Sequence, residues 1–138
     1  MKRYLLDTGL VAAFLHGRKP VVELIDPWVR NDEAATSIII YGEVIEYLQG
    51  LAHYPHYKAR LQRLFTLEQI TPYPLNYAIL ERYADIRRKL RPLHQDIGDI
   101  DTLIAATALE HNLTIVTIDR DFARVPHLKM KLVNLKAA

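Results

Sequence analysis

Four carboxylates stand where the sequence around them gives them something to do: Asp7, Glu43, Asp101 and Asp119. Leu5-Leu6 runs into Asp7-Thr8, and Val116-Thr117-Ile118 runs into Asp119, so two acids sit at the carboxyl ends of predicted strands. Aspartate is also favoured in caps and turns, which explains either one taken alone. Two at equivalent strand ends are harder to set aside. Helical spacing places Asp101 on one face with Ile104, Ala105 and Ala108, an acid on the small-residue stripe of a first turn, facing the sheet. Asp99 falls on the opposite side with Thr102 and Ala106 and reads as the N-cap. Glu43 shares a stripe with Ile40 and Tyr47, whereas Glu46 lies with Gly42, Gln49 and His53. Spacing therefore gives Glu43 only a modest preference as the less exposed acid.

Acids of this kind need a counter-charge, since a buried carboxylate without a partner is costly. No Arg or Lys is close to Asp101 in sequence, so the expectation is a cation, or a basic residue brought in by the fold. Oxygen donors at a strand-end crevice suit Mg2+ or Mn2+. Such ions hold phosphate oxygens, lower the pKa of water and stabilise both oxygens in phosphodiester hydrolysis. The acids alone would repel a polyanion; with the ion they attract one.

Strands alternating with helices must position these groups. Arg3 to Leu6, Ala35 to Ile38, Leu113 to Ile118 and Lys131 to Leu135 read as strands. Ile70 to Tyr73 is a weak one that Pro72 and Pro74 confine to an edge. Helices are predicted over Thr8 to Leu15, Val21 to Arg30 with a kink or late start at Pro27, Ile39 to Leu51, from Pro55, Asn76 to Leu90, and Asp99 to His111. The segment His16 to Pro20 reads as a break. The pattern predicts an α/β fold, three layers with a mainly parallel sheet of four to five strands, whose site lies beyond the strands' carboxyl ends.

The 138 residues, half apolar and a quarter charged, with no repeat or linker, predict a single domain over 1–138. The absence of cysteine excludes disulfides and thiolate zinc sites. The N-terminal apolar run is too short for a signal peptide or span, so a cytoplasmic location is expected. A net charge of +2 does not announce a nucleic-acid binder, although acids gathered in one pocket would leave the remaining surface basic. Lys58, Arg60, Arg63 and the Arg87 to Arg91 cluster read as solvated helix faces, with guidance of a phosphate backbone as the second reading. The six histidines lack metal-ligand spacing, and the eight tyrosines are expected to pack rather than stack on bases.

Leu5-Leu6-Asp7-Thr8, Ser37 followed six residues on by Glu43, Asp101 to Leu109, and Val116-Thr117-Ile118-Asp119 with Asp121-Phe122 together resemble the PIN-domain nucleases. More closely, they resemble the VapC-type toxins of toxin–antitoxin pairs. The resemblance implies four site acids, Asp7, Glu43, Asp101 and Asp119, with supporting hydroxyls at Thr8, Ser37 and Thr117. It implies Mg2+- or Mn2+-dependent cleavage of RNA by a homodimer held by a cognate VapB-type antitoxin; in-line attack with metal on the leaving 3′ oxygen would give a 5′-phosphate product. Many relatives have Asn at the position of Asp119 and an acid further on, so Asp119 and Asp121 are both candidates. Asp119 is preferred because it is nearer the strand, with Asp121 supporting it or capping the turn.

Three rivals follow from the same residues. Asp7-Thr8-Gly9 resembles the signature of retroviral-type aspartic proteases, whose all-β fold needs a strand where Leu10 to Leu15 reads helical. A non-catalytic PIN-like binding module is the second, and a DNA nuclease the third, because attack at phosphorus does not need a 2′-hydroxyl.

Overall fold

The computed structural model describes residues 1–135. Its elements run β1 (Tyr4–Leu6), α1 (Thr8–Leu15), α2 (Lys19–Arg30), β2 (Ala34–Ser37), α3 (Ile38–Gln49), α4 (Tyr54–Thr66), β3 (Thr71–Tyr73), α5 (Tyr77–Leu90), α6 (Asp99–Glu110), β4 (Thr114–Thr117) and β5 (Met130–Leu132). Short 3-10 turns follow α5 at Arg91–Leu93 and β4 at Arg120–Arg124. The five strands form one sheet in the order β3-β2-β1-β4-β5, and every pairing is parallel. Helices flank it, α1 packing with α2, α3 and α4, and α5 packing on α6. This is the α/β sheet the alternating pattern predicts, with five strands.

The central strands bury both faces. Leu5, Leu6, Ala34, Ala35, Ile115 and Val116 are inaccessible to solvent, as expected where helices cover both sides of a parallel sheet. β3 lies at one edge, where Pro72 is tolerated because an edge strand has one unpaired side. α6 is lined by Ile104, Ala105, Ala106, Thr107 and Ala108, all fully buried, so the small residues let it lie close within the fold.

Three local expectations are corrected. Pro20 opens α2 instead of breaking the chain, since a first helical turn has no use for the missing N–H, and α2 runs on through Pro27 from that early start. The break is carried by Gly17, whose φ of +72° suits a residue without Cβ, as Arg18 N–H closes back onto the Ala13 carbonyl. At α6 the N-cap is Gly98, whose carbonyl accepts from both the backbone N–H and the hydroxyl of Thr102. Asp99 is the first helical residue, exposed and ion-paired with Arg87. The last strand is shorter and earlier than Lys131 to Leu135, ending at Leu132. Among the described residues no helix is long and apolar enough to cross a membrane.

Candidate active site

The strand order reverses direction between β1 and β4, and the crevice at such a switch point, beyond the carboxyl ends of the strands, is where parallel α/β sheets place ligands. Asp7 follows β1 and Asp119 lies just beyond β4, one on each side of the switch. α6 leads into β4 and so starts at the same end of the sheet, which brings Asp101 of its first turn to this edge. α3 leaves β2 there and carries Glu43. The topology thus gathers four acids that are far apart in sequence.

Asp7 is 8% exposed and caps α1: its Oδ1 accepts from Thr8 N–H at 2.8 Å, and its Oδ2 from the Thr117 hydroxyl at 2.7 Å. Thr117 in turn accepts from Asp119 N–H at 3.0 Å. The Thr8 hydroxyl donates to Glu43 Oε1 at 2.5 Å. Two hydroxyls therefore tie three of the acids into one hydrogen-bonded chain. Ser37 is fully buried and works one step back, capping α3 through Ile39 N–H at 3.3 Å and so fixing the helix that presents Glu43. Buried Thr36 adds a bond to the Leu6 carbonyl at 2.9 Å that locks β2 against β1 beside Asp7. Nothing local in the sequence distinguishes Thr36 from any other strand threonine.

The electrostatics carry the mark of this convergence. Burial pushes the Asp7 carboxyl above its ordinary range; its two hydrogen bonds oppose the shift, and Glu43 and Asp119 add to it. Asp101 is pushed up to about 6, chiefly by burial and then by the charges of Asp7, Asp119, Glu43 and Asp121. Among the described residues none of Asp7, Glu43, Asp101 and Asp119 has an ion pair with Lys or Arg. The alternative of a basic partner for Asp101 is therefore not realised. Nor are three acidic or histidine side chains among the described residues gathered to chelating distance as they stand. The arrangement is an open ring of acids that feel one another, not a closed cage. An oxygen-only donor set that resists its own full ionisation fits a hard divalent cation.

The other candidates are placed less centrally. Asp119 is half-buried and caps the following 3-10 turn, accepting from Asp121 N–H at 2.9 Å, so the capping role expected of Asp121 belongs to Asp119. Asp121 is exposed and pairs with Arg124 at 3.3 Å. Asp99 points away to Arg87. Glu46 is exposed and Glu43 half-buried, as their helical stripes predict. Asp7-Thr8-Gly9 opens a helix in a parallel sheet, which removes the aspartic-protease reading.

Residues 4–128 match the family model of the PIN domain. Over 137 residues, covering 96% of this chain and 97% of the relative, the sequence is 30% identical to Ribonuclease VapC of Rickettsia bellii (strain RML369-C). Ribonuclease VapC4 of Mycobacterium tuberculosis (strain ATCC 25618 / H37Rv) is 32% identical over 100 residues, 71% of this chain and 75% of that protein. In fold, the chain is similar to VapBC2 from Rickettsia felis, crystallised bound to a DNA fragment from its promoter. The TM-score is 0.82 at 21% identity, with 95% of this chain and 98% of that one covered.

Proposed function

This chain belongs to the PIN-domain family, and from that premise we propose that it is a divalent-metal-dependent endoribonuclease, the toxin of a toxin–antitoxin pair. The observation that carries the reading is that Asp7, Glu43 and Asp119 act electrostatically on Asp101 at the carboxyl ends of the central strands. The relatives named as VapC ribonucleases support RNA as substrate, and the VapBC fold neighbours support a VapB-type antitoxin as partner. On this reading the chain is one nuclease domain, working as a homodimer in the cytoplasm.

The four acids would hold Mg2+ or Mn2+, which when bound lowers the pKa of water and stabilises charge on the phosphodiester oxygens during in-line displacement. The chain's own residues prepare that site. Thr117 fixes the rotamer of Asp7 through Oδ2, and Thr8 fixes Glu43 through Oε1, so neither carboxylate has to be ordered when substrate arrives. Asp101, pushed up to about 6 by burial and by its acidic neighbours, would bind a cation in its ionised form, so metal binding there would compete with its proton. At the end of α5, Arg88 and Arg91 are exposed and have no ion pair among the described residues. With Arg87, which pairs with Asp99 at the start of α6, they line a cleft on the end of α5. They supply the positive surface on which an RNA backbone approaches an otherwise acidic mouth.

The test is cleavage of total RNA by the purified protein with Mg2+ or Mn2+ and with EDTA. Cleavage that needs the ion and disappears in Asp7→Asn and Asp101→Asn, with circular dichroism unchanged, is the expected result. Full activity in either variant would remove the site assignment, and an intact RNA pool under all conditions would favour a binding module.

A further inference from the structure

Next to the acid ring is an open, mainly apolar slot that the chemistry above does not use. Its lining includes Thr8, Gly9 and Ala12 from α1, Tyr47 from α3, and His16 and Arg18 beyond the end of α1. Thr8 belongs to both places: it lines the slot and donates its hydroxyl to Glu43. Tyr47 lies four residues after Glu43 on the same helix, hence one turn along the same face.

Tyr47 is 48% exposed, so α3 presents a large ring to solvent at this slot. It is nevertheless held in place. Its hydroxyl lies 3.0 Å from His16 Nε2, and the two rings meet edge-on with centroids 5.7 Å apart. His16 is itself braced by Tyr57, edge-on at 4.6 Å. The slot thus combines a fixed aromatic ring with the small residues Gly9 and Ala12, and it carries polar groups at His16 and at Arg18, whose guanidinium also donates to the carbonyl of Leu135 on the slot's wall at 2.8 Å. That is the chemistry of a site for a flat heteroaromatic group with hydrogen-bonding edges.

We propose that this slot is a nucleobase subsite, in which an unpaired RNA base adjoining the scissile phosphate stacks on Tyr47. The proposal rests on the ribonuclease reading and adds to it where the substrate's base is held. Contiguity fixes the occupant's class: a phosphate held at the ring of Asp7, Glu43, Asp101 and Asp119 places its neighbouring base within a nucleotide's reach of Thr8. Single-stranded RNA offers bases free to leave their own stack.

The experiment measures KM and kcat on a single-stranded RNA oligonucleotide with Mn2+, for wild type, Tyr47→Ala, Tyr47→Leu and Tyr47→Phe. Parallel substrates carry one abasic nucleotide at each position around the cut. Loss of stacking raises KM about tenfold in the Ala and Leu variants, with kcat changed by less than about twofold, and Phe recovers most of the affinity. One abasic position raises the wild-type KM by a similar factor and adds nothing to Tyr47→Ala. Thermal unfolding of each variant runs alongside, and Leu keeps the bulk should Ala perturb the helix. Wild-type KM in Tyr47→Ala overturns the subsite, as does a loss indifferent to which base is removed. So does weakened antitoxin binding with RNA kinetics unchanged, which would give the slot to a protein. A wild type that cuts no RNA under any metal condition overturns the ribonuclease reading first, and the subsite with it.

Discussion

The Thr117 hydroxyl donates to Asp7 Oδ2 at 2.7 Å across 110 positions of sequence, and the same oxygen accepts the Asp119 N–H at 3.0 Å. One side chain therefore couples the acid that ends β1 to the acid beyond β4. Thr117→Val keeps the shape and removes both bonds, leaving buried Asp7 with one donor fewer. The expected cost is about 1–3 kcal/mol of stability, read from chemical denaturation. Supporting groups around a metal ligand typically carry about 10- to 100-fold in activity, and Thr117→Ser should restore most of it. Unchanged cleavage by the Val variant would show that Asp7 needs no such orientation.

Asp101 gives a pH signature. Its carboxyl titrates at about 6 in the folded chain against an ordinary value of 3.8, so the native state binds the proton more tightly than the unfolded one. Stability of the metal-free protein must then fall as pH rises from about 4 to above 6, and be flat with respect to this group below that window. Asp101→Asn removes the charge, so the metal-free variant should be more stable than wild type at pH 7 and no more stable at pH 3.5. Because the side chain is partly open to solvent, the gain is about 1 kcal/mol, well under the full shift. Mn2+ should raise the melting temperature of wild type and leave that of Asp101→Asn almost unmoved. A variant less stable than wild type at pH 7 would contradict the crowding of acids inferred here.

The strand-end acids were legible because they depend on short-range signals: an apolar run that stops at an acid, and a helical stripe that carries one. The parallel sheet was legible for the same reason, in the β-branched Thr114-Ile115-Val116-Thr117 and the small buried face of α6. What escaped depends on chain crossings. Thr8 meets Glu43 across 35 positions and Thr117 meets Asp7 across 110, and no local pattern pairs them without the strand order. Gly98 displaced Asp99 as the cap because its carbonyl is doubly used by Thr102, leaving Asp99 free to reach Arg87 on another helix. Tyr47 shared a stripe with Glu43, as spacing requires, yet that stripe opens to solvent at the slot instead of closing on the core.

Glu43 and Glu46 separate the site from its helix. Both are on α3, but only Glu43 receives the Thr8 hydroxyl, while Glu46 is exposed. Glu43→Gln should cut cleavage at least about as strongly as loss of a supporting group, 10- to 100-fold, and Glu46→Gln should match wild type. Thr8→Val should fall between them, since it frees Glu43 without neutralising it. Steady-state cleavage of one RNA oligonucleotide by the three variants orders them, and parity between the two glutamine variants would sink the choice of Glu43.

Arg88 and Arg91 predict a salt effect. If they meet phosphates as the RNA approaches, Arg88→Ala/Arg91→Ala should weaken RNA binding across sequences. It should also lower the slope of log Kd against log salt by about 1.4, from about 0.7 per contact on a single strand. Binding of RNA to wild type and variant at several salt concentrations, with Ca2+ in place of the active ion, reads both quantities. Parallel lines of equal slope would return these arginines to the role of a solvated helix end.

Asp119 and Asp121 compete for the fourth place in the ring, and the geometry sets them apart. Asp119 is half-buried, is tied through its own N–H to the hydroxyl that holds Asp7, and raises the titration of both Asp7 and Asp101. Asp121 is exposed, is engaged with Arg124, and bears on Asp101 only as the smallest of the neighbouring charges. Asp119→Asn is an informative change because an Asn oxygen can still accept the Asp121 N–H and keep the turn capped. The fold should therefore survive while one negative charge leaves the ring. Activity is expected to drop beyond the roughly 10- to 100-fold of a supporting group, with weaker Mn2+ binding by calorimetry. Asp121→Asn should lose less than about tenfold and bind Mn2+ nearly as well as wild type, being no more than a supporting group. The reverse order would move the ion outward along the 3-10 turn, toward Arg124, and Asp119 would then be a structural cap alone.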